Sequence, residues 1–119
     1  MKTKTKKLII YHNPSCSKSR EACSLVKTKG LEFATVKYLE DPLGEEEIRD
    51  LLKKLGLKAE ELVRKKEALY KEKYAEKVLS EKQWVSVLAR HPVLIERPVI
   101  VYGNKAVIGR PTKNIEKLF

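Results

Sequence analysis

At 119 residues, 42% apolar and 35% charged, the chain has the size and balance of one globular domain built on a single core. No apolar run approaches the ~20 residues of a membrane helix, and the lysine-rich start leads only into the short apolar run Leu8–Tyr11, so a cytoplasmic protein without a membrane anchor is expected. The net charge of +10 suits nucleic acid, an anionic surface or a small oxyanion, and by itself selects none of them.

In chain order, Lys-Leu-Ile-Ile-Tyr11 reads as a short buried strand, broken by the turn cluster His12-Asn-Pro-Ser15. A helix should cover 16–29, with Gly30 at its C-terminal cap, and residues 33–39 alternate as a second strand, giving a parallel strand–helix–strand unit. Asp41-Pro42 ends that unit. Glu45, Glu46 and Glu47 favour a helix N-terminus, Ile48, Leu51, Leu52 and Leu55 form its apolar stripe, and Gly56 closes it. A short helix is expected at 59–64. Residues 64–77 are a charge-rich stretch to which no element is assigned.

Ser80-Glu-Lys-Gln83 has the spacing of a capping box, and Trp84, Val85, Val87 and Leu88 supply the apolar face of a helix that ends at His91-Pro92. Strands at 99–102 and 106–108 then meet at Gly103-Asn104, a dipeptide suited to a hairpin, and Thr112 can cap a terminal helix through Leu118. This order, β-α-β, helices, β-β, α, is that of an α/β chain with a thioredoxin-like fold: a mixed four-stranded sheet with a helical insertion between its halves.

Two cysteines make no disulfide framework, and in a reducing compartment each is reactive, metal-binding or buried. Cys16 opens a helix just after a strand and a turn, where unpaired N–H groups and the positive dipole end favour a thiolate. His12 stands four residues earlier and could add positive charge, while Ser17 and Ser19 offer hydroxyls beside the anion-binding first turn. Cys23 lies seven residues on in the same helix, a rise of about 10.5 Å. A disulfide needs Cα atoms within ~7 Å, so the two cannot bridge while the helix is intact, and Cys23 is expected to fill the core. Cys16, Cys23, His12 and His91 lack zinc-site spacing.

Tyr11-His-Asn-Pro-Ser-Cys-Ser-Lys-Ser-Arg20 resembles the active-site loop of the glutaredoxin-coupled arsenate reductases. The resemblance continues through Tyr38-Leu-Glu-Asp-Pro42, Leu62-Val-Arg64, His91-Pro92, Glu96-Arg-Pro-Val-Ile-Val101 and Gly109-Arg-Pro111. It implies Cys16 as nucleophile, Ser19 and His12 as supports of its thiolate, and Arg64, Arg97 and Arg110 as the holders of the oxyanion. Guanidinium forks suit a doubly charged tetrahedral anion chemically. Arg97-Pro98 resembles the cis X-Pro site that such folds place opposite the active cysteine. At Lys66 the chain departs from the family, which often has Asn there.

The implied reaction needs no bound cofactor or metal. Arsenate is the substrate, glutathione a co-substrate and glutaredoxin the partner that regenerates Cys16, with the chain acting as a monomer. A different thiol or oxyanion substrate is one alternative. Another is an Spx-type transcriptional regulator that binds RNA polymerase, although such proteins typically carry C-x-x-C where this chain has Cys16-Ser-Lys-Ser19. Nucleic acid is not the expected partner, because the basic residues between Glu45 and Lys82 are interleaved with glutamates, as on a solvated helix face.

Overall fold

The computed structural model describes residues 8–119; Lys7, expected to start the first strand, lies outside the described residues. The chain divides into two compact units, one built from the residues up to Lys37 together with Arg97–Phe119, the other from Tyr38–Glu96.

In the first unit, β1 (Leu8–Tyr11) is followed by α1 (Ser17–Thr28) and β2 (Ala34–Val36), and after the inserted second unit the chain returns as β3 (Val99–Tyr102) and β4 (Lys105–Ile108). The sheet order is β2-β1-β3-β4, with β1 parallel to β2 and antiparallel to β3, and β3 antiparallel to β4. This is the expected mixed four-stranded sheet. β2 is shorter than the alternation at 33–39 suggested, and its Ala34 and Thr35 are exposed, as befits an edge strand. Leu8, Ile10 and Ile100 from the sheet, Ala22 and Val26 from α1, and Ile115 and Leu118 from the C-terminal segment close one core. Burying such aliphatic side chains contributes about 1.5–3 kcal/mol each.

The terminal helix is a 3-10 helix, Thr112–Leu118, and Thr112 does not cap it: Pro111 occupies the cap position, while Thr112 Oγ1 donates to Glu21 Oε1 at 3.0 Å. At the other end of α1 the expected Gly30 stands one residue beyond the cap, Lys29.

The second unit is helical. α2 (Glu45–Leu55) starts with three glutamates in its first turn, and the Gly44 N–H donates to Glu47 Oε1 at 3.0 Å. It ends at Gly56, whose φ of +70° lets its N–H reach the Leu52 and Lys53 carbonyls, a left-handed cap that a side chain would strain. The short helix expected at 59–64 is a 3-10 turn, Ala59–Leu62. α4 (Glu81–Arg90) carries the reciprocal cap foreseen in its sequence, Ser80 Oγ accepting the Gln83 N–H at 3.2 Å and Gln83 Oε1 accepting the Ser80 N–H at 2.8 Å. Between them lies α3 (Ala68–Lys73), inside the charge-rich stretch. It has no buried residue, and the ring of Tyr70 stacks on Trp84 at 6.3 Å between centroids, a long-range contact that charge patterning does not reveal. Among the described residues no helix is long and apolar enough to cross a membrane.

The charge is unevenly divided between the units. Among the described residues ten lysines and arginines stand against three acidic residues in the first, and twelve against thirteen in the second. The net positive charge of the described residues thus belongs to the unit that contains Cys16.

Candidate active site

β1 delivers the chain into a turn organised by Asn13. Its carbonyl accepts the Cys16 N–H at 2.9 Å, its Oδ1 accepts the Ser15 N–H at 3.0 Å, and its own N–H donates to Ser19 Oγ at 3.3 Å. Arg20 Nη1 clamps the same turn from α1 through the Pro14 carbonyl at 2.8 Å. Cys16 is therefore placed as the N-terminal cap residue of α1, in extended conformation (φ −96°, ψ 122°), and its carbonyl accepts the first helical bond from Arg20. No acidic side chain stands in the first turn, so the positive end of the helix is left for another anion.

Two arginines come to this sulfur from the far end of the first unit. Arg110, which follows β4, points Nη2 at Cys16 Sγ over 3.8 Å and donates from Nε to the Arg97 carbonyl at 3.3 Å. Arg97 precedes β3, and its guanidinium lowers the Cys16 pKa, both as a hydrogen-bond donor and by its charge. Its Nε is buried with no hydrogen-bond partner among the described residues, a donor left over for a bound anion. Both arginines precede a cis proline, Pro98 and Pro111. Gly109 keeps the two segments together: its N–H donates to the Pro98 carbonyl at 2.8 Å, and a Cβ there would stand 2.7 Å from Ile100 Cδ1 and 3.1 Å from Pro98 Cγ.

These surroundings set the acidity of Cys16. Burial raises its pKa, but the Ser19 N–H, the Arg97 guanidinium and the Lys18 N–H outweigh that and bring it from 9.0 to about 7. The neutral thiol makes no capping hydrogen bond; it is the thiolate that the N–H groups of the first turn favour. Below pH 7 the sulfur is mostly protonated and above it mostly thiolate, so alkylation of Cys16 should accelerate about tenfold per pH unit up to ~7 and then level off. Rates measured with iodoacetamide across pH 5–9.5 check this, and an inflection at an ordinary thiol value of ~8.5 or higher would remove the case for an activated nucleophile.

The first unit thus brings together Cys16, Ser19, Arg97 and Arg110. Ser19 is fully buried and acts in two ways, through its N–H toward the sulfur and through its hydroxyl as acceptor for Asn13. The polar contact made by the His12 ring is with Cys23, Nδ1 to Sγ at 3.7 Å. Arg64 belongs to the second unit, where its Nη1 pairs with Glu67 Oε2 at 3.0 Å and its N–H donates to the Leu94 carbonyl. Asn13 and Gly109 were not singled out in the sequence for these roles; the Asn-Pro turn was a signal for the first, whereas the close approach at Gly109 had none. Among the described residues no three His, Cys, Asp or Glu side chains are grouped as metal ligands would be.

Residues 11–118 match the ArsC family, a span that includes every residue of this site. The chain belongs to the ArsC family. Its relatives include the uncharacterized protein YfgD of Escherichia coli (strain K12), 49% identical over 113 residues, which span 93% of this chain and 95% of that protein. An arsenate reductase of Neisseria meningitidis is 43% identical over 109 residues, 90% of this chain and 93% of that one. Among solved structures, the arsenate reductase from Vibrio cholerae superposes on this ArsC-family chain with a TM-score of 0.91 at 38% identity, covering 98% of this chain and 100% of that one. The thioredoxin-like fold and the thiol oxidoreductase chemistry of the ArsC family accordingly apply here.

Proposed function

We propose that this protein reduces arsenate to arsenite in the cytoplasm, as a monomer, through a covalent adduct on Cys16, with glutathione and glutaredoxin supplying the electrons. The observation that carries the reading is the pairing of a thiol poised at about 7 with an arginine whose buried Nε lacks a partner. A nucleophile and a binding group for an oxyanion stand side by side.

Arsenate would sit against the first turn of α1, Arg97 and Arg110, with Arg64 contributing as the family resemblance implies. The Cys16 thiolate attacks arsenic, and an arsenate oxygen leaves as water after taking up protons. Glutathione then adds across the remaining As=O bond of the adduct, its sulfur bonding to arsenic and its thiol proton passing to that oxygen, so that three hydroxyls stay on arsenic. When the two sulfurs couple as a disulfide, their bonding electrons reduce arsenic from +5 to +3, and arsenite departs. Cys16 is left as a glutathione mixed disulfide, which glutaredoxin resolves by thiol–disulfide exchange.

Cys23 offers no internal alternative. It sits seven residues along an unbroken α1, half-buried against the core, with its thiol pushed above the ordinary range by burial. Turnover with arsenate should therefore require glutathione and glutaredoxin, and intact mass should show one glutathione adduct on Cys16 that glutaredoxin removes. Thioredoxin alone should serve poorly. A Cys16–Cys23 disulfide in peptide maps, with turnover on thioredoxin alone, would show that α1 unwinds during the cycle and would overturn the electron route. A chain that reduces no arsenate but is retained on RNA polymerase would return the regulator reading.

A further inference from the structure

His12 and Cys23 form a pair of titratable side chains in the first unit, and the route from thiolate to mixed disulfide uses neither. The His12 backbone is anchored by its N–H to the Val36 carbonyl at 2.8 Å, at the end of β2, while Cys23 is fixed on α1 and packed against the core. Sγ and Nδ1 are 3.7 Å apart, within hydrogen-bonding reach of a sulfur.

Such a contact can run in either direction, and the surroundings decide it. An imidazole lone pair is a good acceptor and a thiol sulfur a weak one, so a bond donated by S–H is the better of the two. Burial keeps Cys23 protonated and supplies the hydrogen. Burial, then the charges of Lys37 and Arg20, push His12 below its usual range and keep the ring neutral. We propose that Cys23 is a positioning residue: its thiol donates to His12 Nδ1 and fixes the ring as the neutral Nε2–H tautomer, so that the loop before Cys16 carries a neutral hydrogen-bond donor in place of an imidazolium.

If so, positive charge at Cys16 comes from arginines and the helix end alone. The chemical consequence rests on the proposed function: of the protein's own groups at this loop only Cys16 should then shape the rate between pH 6 and 8, beside the ionisation of arsenate itself, where an imidazolium would add a further one.

Long-range nitrogen–proton NMR of the ring tests the assignment on the full chain, with His91→Gln used to assign the two histidines. His12 is expected as the Nε2–H tautomer with a pKa under 6.5. Cys23→Ser should retain that signature, since a hydroxyl donates as well, whereas Cys23→Val should lose it to a mixture of tautomers. A wild-type ring in the Nδ1–H form, an imidazolium at pH 7, a Cys23→Val ring unchanged from wild type, or loss of the signature in Cys23→Ser would each overturn the proposal. The wild-type spectrum decides even where the valine variant does not fold. A chain with the expected tautomer that reduces no arsenate would refute the proposed function and leave this assignment standing.

Discussion

Cys16→Ser should lose arsenate reduction by at least about a thousandfold while keeping its fold. The loss follows from the proton: a thiol at about 7 is half thiolate at neutral pH, whereas an alcohol in the same place stays protonated and forms no arsenic–sulfur bond. The fold should survive because the residue's structural task is to begin α1, and serine does that well, accepting a first-turn N–H as the neutral thiol does not. Circular dichroism and thermal melts of the two proteins should therefore match, with the serine form equal or slightly more stable. A serine variant that reduced arsenate within tenfold of wild type would show that Cys16 is not the nucleophile.

Arg97→Ala should be the next most damaging change, by about 10²–10³ in kcat/KM, the range seen when one preorganised donor to a developing anion is removed. Two effects combine. The guanidinium lowers the Cys16 pKa by hydrogen bond and by charge, so its loss moves the alkylation inflection upward toward 9.0 and depletes the thiolate at neutral pH. It also removes the unpartnered Nε that arsenate would occupy. The two separate experimentally: raising the assay pH should recover the first part and not the second. Arg97→Lys should restore the inflection in part and the affinity for arsenate little, since a point charge cannot reproduce a fork of donors. Arg110→Ala should cost less, because Arg110 is exposed and 3.8 Å from the sulfur. If the alanine variants at Arg64, Arg97 and Arg110 all turned over at wild-type rates, the oxyanion site would be misassigned.

Much of this arrangement is legible in the sequence because its causes are local. The strand, Asn-Pro turn and helix that present Cys16 are each dictated by neighbours, as are the Ser80–Gln83 cap and the β3–β4 hairpin. What was missed depends on residues remote in the chain. α3 leans on Trp84, the Thr112 hydroxyl is taken by Glu21 rather than by its own helix, and Gly109 is required by Ile100 and Pro98. The same holds within the site: that Arg97 and Arg110 meet at one sulfur is a property of the sheet order β2-β1-β3-β4, and only the family resemblance suggested it beforehand. That Cys23 would meet His12 follows from the packing of α1 against the core that β1 lines, which spacing alone does not give.

The uneven division of charge governs how molecules reach Cys16 more than what happens there. With ten basic against three acidic residues among the described residues of the unit that holds the thiol, anions approach down a long-range potential gradient, and salt flattens that gradient over a Debye length of about 8–10 Å. The near-neutral insertion adds almost nothing to it. Encounter should therefore be tuned by ionic strength while bond-making is tuned by a few short contacts, so under the proposed function added salt should slow the capture of anionic substrates and leave the chemical step nearly untouched. The insertion can also change its paired charges freely over time, because the attraction that gathers anions at the thiol is written almost entirely in the other unit.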